Sequence, residues 1–149
     1  MMEDADLESL VEEVLTKSGL DLLEFHQSRH RGGVTIKAVI KGRQGTGTEE
    51  CAKASRLILA QAQAKAGVQN PSIEVSSPGI DRIFKSERDW KAFRGEMIRW
   101  LPRDASEWQR GTLIGYDSGI AKLETATGSL ELEVSSVAKA RLDSMNKGE

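Results

Sequence analysis

The sequence predicts an α+β protein made of an N-terminal α-β-β-α-β domain followed by a small β-barrel of the SH3 or Sm type. Apolar residues recur at helical spacing in two early segments, and they recur at every second position over residues 34–41. Short apolar runs separated by turn residues then dominate the chain after residue 96. Because 149 residues suffice for two small domains, we expect them at 1–85 and 86–149.

A first helix is predicted to begin at Asp4 or Asp6, since either carboxylate can cap it, and to end near Ser18. Gly19 favours termination there, because glycine readily adopts the left-handed conformation that follows many helices. The apolar face of this helix consists of Leu7, Leu10, Val11, Val14 and Leu15.

Residues 20–29 and 34–41 are predicted to be two strands that pair as a hairpin around a turn at Arg31-Gly32-Gly33. In the second strand, Val34 and the other even-numbered positions up to Ile40 are apolar. A period of two is typical of a strand with one buried face.

A second helix is predicted after the glycine-rich segment 42–47, with Thr48 as a possible cap and Gly67 as its end. A third strand over residues 72–77 then stops at Pro78-Gly79. We therefore expect both helices to cover one face of a three-stranded sheet.

The second domain is predicted to open with a short helix, capped by Ser86, that runs through Phe93 before Gly95 ends it. Asp117-Ser118-Gly119 and Thr127-Gly128 are typical of hairpin turns. Four strand-like runs lie at residues 97–101, 111–115, 120–123 and 130–134. The domain boundary is expected near residues 83–87, and residues 144–149 are expected to form a frayed tail.

Composition excludes several classes of protein. Cys51 is the single cysteine, which excludes an internal disulfide and a cysteine-rich zinc site. The acidic N-terminus lacks the features of a secretory signal, and no apolar run approaches the roughly 20 residues of a membrane span. We therefore expect a cytoplasmic protein.

The net charge of −2 argues against tight non-specific binding to nucleic acid, but the charge is unevenly distributed. Residues 3–24 hold eight acids and one base, whereas residues 25–43 hold five bases and no acid. Both stretches are compatible with ordinary solvated faces, or with one acidic and one basic docking surface. The candidate contacts are Glu8, Glu12 and Glu13 on the acidic surface and Arg29, Arg31 and Arg43 on the basic one.

The segment 76–82 predicts a tight turn at the domain junction, because Pro78 restricts φ and Gly79 tolerates a positive φ. Asp81 and Arg82 follow that turn directly. One interpretation is a structural corner, in which Asp81 caps backbone groups and Arg82 forms an ion pair. The other is that Pro78, Gly79, Asp81 and Arg82 contact a partner.

The run Ile73-Glu74-Val75-Ser76-Ser77-Pro78-Gly79-Ile80-Asp81-Arg82 resembles the signature of the RimP family of ribosome maturation factors. The order of predicted elements is also similar, and the resemblance extends over residues 5–143. It implies a bacterial protein that matures the small ribosomal subunit and contacts the basic small-subunit protein of the decoding region, the twelfth in standard numbering. It also implies the α/β domain and the Sm/SH3-like barrel, with no catalysis and no cofactor.

No residue pattern indicates chemistry strongly. The Gly-x-x-Gly at residues 42–45 also occurs in KH RNA-binding domains, but there it joins two helices and here it joins a strand to a helix. Glu49 and Glu50 would repel a phosphate at the start of that helix. His26 and His30 lack an evident third metal ligand. Trp108 and the other two tryptophans lie near arginines, where they could stack on bases or fill cores. We expect no catalytic residue, cofactor or metal.

The leading hypothesis is thus a factor that binds the immature small subunit through a basic ribosomal protein, through rRNA, or through both. The acidic first helix would face the protein, and the basic hairpin and the segment from Arg82 to Arg103 would approach rRNA phosphates. The alternative is a general Sm-like module that binds single-stranded RNA. An enzyme would require an activated nucleophile or a metal site. No membrane or small-molecule substrate is expected as a partner.

Overall fold

The computed structural model describes residues 4–31, 33–43, 45–64 and 70–143. The chain divides into two compact units, one ending at Pro78 and the other beginning at Gly79. Residues 82–84, which the sequence groups with the first domain, hydrogen-bond within the second unit through Arg82 O to Leu142 N and Phe84 N to Ala140 O. That the units act as separate domains stays a prediction.

The first unit has the predicted order helix, strand, strand, helix, strand. Its elements are α1 (Asp4–Lys17), β1 (Leu20–His30), β2 (Gly33–Gly42), α2 (Thr48–Ala64) and β3 (Ser72–Ser76). Thr48 is the first residue of α2 instead of preceding it as a cap. The predicted helix end at Gly67 and the tail at residues 144–149 lie outside the described residues.

These three strands form sheet 1 in the order β1-β2-β3. β1 pairs antiparallel with β2 as the predicted hairpin, and β2 pairs parallel with β3, as a strand–helix–strand connection allows. The alternating apolar residues of β2 face one continuous core, together with apolar residues of both helices. Its buried members are Leu7, Val11, Leu15, Leu20, Leu22, Val34, Ile36, Ala38, Ile40, Ala54, Ile58 and Ala62.

The second unit contains one short helix and five strands. They are α3 (Glu87–Ala92), β4 (Met97–Pro102), β5 (Gln109–Asp117), β6 (Ile120–Thr125), β7 (Gly128–Glu133) and β8 (Val137–Leu142), with a 3₁₀ turn at Val134–Ser136. All neighbours in this sheet 2 are antiparallel, in the order β7-β6-β5-β4-β8.

The core of the second unit lies on one face of sheet 2 and beneath α3. Ile98, Trp100, Leu113 and Leu123 are fully buried there. An aromatic group of Phe84, Trp90, Phe93 and Tyr116 packs alongside, and the Phe84 and Trp90 rings meet edge to face at 5.1 Å between centroids. Trp90 and Trp100 are therefore core residues, whereas Trp108 is 39% exposed.

The α+β class is confirmed, as are the four strands predicted after residue 96. β8 is a strand that was not predicted from the sequence, although Ala138, Ala140 and Leu142 alternate with Lys139 and Arg141. The barrel stays a prediction, since β7 and β8 stand at opposite ends of the strand order. Within the described residues, no helix is long and apolar enough to span a membrane.

Candidate protein and nucleic-acid interface

Arg82 lies inside the second unit with only 8% of its surface exposed. Its guanidinium group donates two hydrogen bonds to the carboxylate of Asp89, from Nε to Oδ1 at 2.8 Å and from Nη2 to Oδ2 at 3.2 Å. Asp89 is itself fully buried. Arg82 therefore acts as a positioning residue, and the ion pair that the sequence left open as an interpretation is present. Contact of Arg82 with a partner stays a prediction.

The same Asp89 carboxylate also fixes the start of α3. Its Oδ2 accepts hydrogen bonds from the backbone nitrogens of Lys85 at 3.0 Å and Ser86 at 3.3 Å. Ser86 is the N-cap, as predicted, and its hydroxyl accepts from Arg88 N at 3.3 Å. This reciprocal capping box satisfies donors that a helix end otherwise leaves unpaired. One buried carboxylate thus joins Arg82 to the first helix of the second unit. Arg82 is the last residue of the segment 76–82, which we call the junction motif.

Asp81, in contrast, remains available at the surface, with 56% of its side chain exposed. It accepts a 2.7 Å hydrogen bond from Nη2 of Arg141 on β8. Gly79 begins the second unit, and its carbonyl accepts from Arg82 N at 3.2 Å. The tight turn therefore has Ile80 and Asp81 as its central residues, and the prediction of a turn centred on Pro78 and Gly79 with a positive φ at Gly79 is wrong. Pro78 ends the first unit. Of these four predicted contacts, Gly79 and Asp81 are the exposed ones.

The acidic surface of α1 is less open than its charge suggests. Glu8 and Glu12 are half-buried and already interact within the chain, and only Glu13 is fully exposed. Glu13 accepts from Nζ of Lys17 at 3.3 Å, one turn further along the helix. The three carboxylates nevertheless lie within two turns of one helix, so α1 presents a continuous acidic stretch.

The structure does not bring the three predicted basic contacts together. Arg29 and Arg31 are exposed at the tip of the β1–β2 hairpin, where Arg29 pairs with Val34 in the register. Arg43 follows the opposite end of β2, about 30 Å away along a strand of this length. There its Nη2 donates to Thr16 O at 3.1 Å and approaches Asp21 at 3.9 Å. The basic hairpin is thus two separate sites.

A cleft of about 740 Å³ lies beside Arg43, between the end of α1 and the start of α2. Two cations that line it already donate hydrogen bonds to carbonyl groups at the end of α1. Lys53 donates to Ser18 O at 2.9 Å, and Arg43 donates to Thr16 O. Cations at a helix C-terminus satisfy its unpaired carbonyls and complement its dipole. The cleft therefore joins α1 to α2, and Glu49 and Glu50 at its edge disfavour an anion.

The Glu50 side chain links the glycine-rich segment 42–47 to the first turn of α2. Its Oε1 accepts from Gly47 N at 2.7 Å, which supplies one half of a capping box. This backbone hydrogen bond, with a second from the nitrogen of Glu50 itself, lowers the pKa of the carboxyl group. A Cβ on Gly42 would lie 2.0 Å from Gly45 O, so this turn requires glycine.

Each histidine contacts one polar side chain in its own hairpin. Nε2 of His26 lies 3.3 Å from Glu24, and Nε2 of His30 lies 2.8 Å from the Thr35 hydroxyl. In the part of the chain that the structure describes, no three His, Cys, Asp or Glu side chains converge as a metal site. Cys51 is partly buried against the core of the first unit.

Sequence reasoning missed the residues that hold Asp81 and Arg82 in place within the second unit. Asp89 carries a signal, since an acid three residues after Ser86 is the capping-box pattern. The pairing of Asp81 with Arg141 joins positions 60 apart, and no local pattern indicates it.

The fold and these contacts define a two-unit α+β protein in which Asp81 and Arg82 are built into the second unit. A sequence model of the RimP N-terminal domain matches residues 10–81. The ribosome maturation factor RimP of Borrelia hermsii (strain HS1 / DAH) is 27% identical over 144 residues, which cover 95% of this chain and 97% of that protein. The chain is thus similar to RimP ribosome maturation factors over most of its length.

Proposed function

We propose that this chain is a ribosome maturation factor that acts on the small (30S) ribosomal subunit. The observation that carries the proposal is the similarity to a RimP ribosome maturation factor along 95% of the chain. A protein of this kind acts by binding and by favouring one conformation of its target, so it needs no catalytic residue and no cofactor. The place of action is the cytoplasm of a bacterial cell.

The partners we propose are the immature small subunit, its basic protein of the decoding region and rRNA. The acidic stretch of Glu8, Glu12 and Glu13 suits a basic protein, because complementary charge guides encounter and register. Arg29 and Arg31 suit rRNA phosphates, because both are exposed at the hairpin tip. We further propose that sheet 2 curls into an SH3/Sm-like barrel, which its five antiparallel strands around one core support.

The experiment is sedimentation of cell extracts that contain the tagged full-length chain, with and without deletion of its gene. Co-migration with small-subunit precursors, and their accumulation after deletion, are the expected results. Ribosome profiles that are unchanged by the deletion would refute the proposal.

A general Sm-like module for single-stranded RNA is the second candidate, and the exposed Trp108 beside Arg99 favours it. It predicts that the purified chain binds unrelated RNA and assembles into a ring. A monomer that migrates with precursors alone excludes it.

A further inference from the structure

Three arginines lie side by side across sheet 2. Arg99 on β4 pairs in the register with Arg110 on β5 and with Arg141 on β8. Residues that are paired in this way lie on the same face, so the row extends over about 10 Å. That face is opposite the core, because the flanking residues Ile98 and Trp100 point inward and are buried.

Like charges that stand directly opposite one another destabilise a sheet, so the row has an energetic cost. The outer two arginines each have a carboxylate partner at 2.7 Å, Asp143 for Arg110 and Asp81 for Arg141. Within the described residues, the central Arg99 pairs with no carboxylate; its guanidinium carbon lies 5.6 Å from the centre of the Trp108 ring. The row thus contains more positive charge than its own carboxylates neutralise.

Hydrogen bonds satisfy the guanidinium groups of this row only in part. Three buried side-chain atoms lack a hydrogen-bond partner among the described residues, and two of them are the Nε atoms of Arg99 and Arg141. The row is therefore not a closed network of ion pairs.

Two neighbours extend this surface. Lys139 is exposed on β8, two residues before Arg141 and therefore on the same face. Trp108 is 39% exposed, so its ring remains partly accessible although Arg99 lies over it. We call Arg99, Arg110, Arg141, Lys139 and Trp108 the arginine face.

We propose that the arginine face binds a single-stranded RNA segment, with the backbone phosphates on the arginines and an unpaired base on Trp108. Arginine binds phosphate through two parallel hydrogen bonds, and a guanidinium group beside an aromatic ring supports base stacking. The inference rests on the proposed function in taking this RNA to be rRNA. An acidic protein would also be attracted to the arginines, and the salt dependence of binding distinguishes it from RNA.

The test measures binding of the full-length chain to purified immature small subunits and to a short fluorescein-labelled oligouridine over a range of salt concentrations. Arg99→Gln is expected to reduce the slope of log affinity against log salt by about 0.7, as removal of one bound phosphate does for single strands. Arg99→Lys should retain the slope. Trp108→Ala is expected to weaken binding at least about fivefold, whereas Trp108→Phe retains most of it.

Lys91→Gln is the matched control, because it removes one exposed positive charge from α3 of the same unit. Circular dichroism and the thermal midpoint check that each variant folds. If Arg99→Gln does not fold, Lys139→Gln replaces it with the same expected change in slope, because Lys139 is an exposed cation of the same face.

The outcomes separate this inference from the proposed function. If the wild-type chain binds precursors and none of the variants changes this binding, the arginine face is overturned and the proposed function stands. If the chain binds oligouridine through Arg99 and Trp108 but does not bind precursors, the proposed function is overturned and RNA binding by the arginine face stands. If Arg99→Gln weakens precursor binding without changing the salt slope, and Trp108→Ala has no effect, the partner is a protein and the assignment to RNA is overturned. Binding to neither probe overturns both.

Discussion

The guanidinium group of Arg82 and the carboxylate of Asp89 form a two-point ion pair within the second unit, with 7% and 0% of their side chains exposed. Because both groups are withdrawn from water, each depends on the other for its solvation. This pair makes Arg82 of the junction motif a part of the folded core.

Replacing Asp89 by Asn should therefore lower the free energy of unfolding by about 3–5 kcal/mol, because it leaves the Arg82 charge buried and without its counter-charge. Urea unfolding followed by circular dichroism measures the change. The control is Asp81→Asn, which removes a carboxylate from an exposed pair with Arg141 and should cost at most about 1 kcal/mol. Equal destabilisation of the two variants would contradict the structural role of Asp89.

Reversing Glu8, Glu12 and Glu13 to Lys should weaken binding to the basic small-subunit protein, because three attractive contacts become repulsive. Calorimetry with the isolated ribosomal protein gives the dissociation constant. Reversal of Asp104, Glu131 and Glu133, three acids of the second unit, controls for net charge. A dissociation constant equal to that of the wild type would remove the acidic face from the proposal.

Changing Arg29 and Arg31 to Ala should reduce the salt dependence of binding to immature subunits, by about 0.7 to 0.9 in the log–log slope for each phosphate that is no longer bound, depending on whether the RNA there is single-stranded or paired. Arg43→Ala is a separate variant and should change the slope little, since Arg43 is engaged with Thr16 and Asp21. Salt titrations of both variants measure the two slopes. A larger effect for Arg43 would assign the RNA contact to the other end of the hairpin.

The Glu50 carboxylate should stabilise the first unit in a pH-dependent manner. Its folded-state pKa is lowered by the hydrogen bond from Gly47, so its contribution is complete above the unfolded pKa, near 4.5, and is lost as the pH falls through the folded value. The difference in unfolding free energy between wild type and Glu50→Gln should shrink in that acid range. Glu49→Gln removes a neighbouring carboxylate that does not bond to Gly47, and an identical pH profile for it would contradict the assignment.

The sequence by itself determined the elements of the first unit, because local patterns encode them. Alternation over residues 34–41 placed β2, and helical spacing from Leu7 to Leu15 placed α1. The Ser86 cap likewise predicted α3. The run of residues 73–82 was long enough to indicate the RimP family without any structure.

Only the tertiary structure decided which charges remain exposed and which lie together. Arg82 and Arg43 are cations in the sequence, but one is buried against Asp89 and the other is held at the end of α1. The row of Arg99, Arg110 and Arg141 arises from strand register, which sets side by side residues as far as 42 positions apart. Local patterns specify single helices and strands, whereas ion pairs and surfaces depend on contacts that form only when distant segments pack.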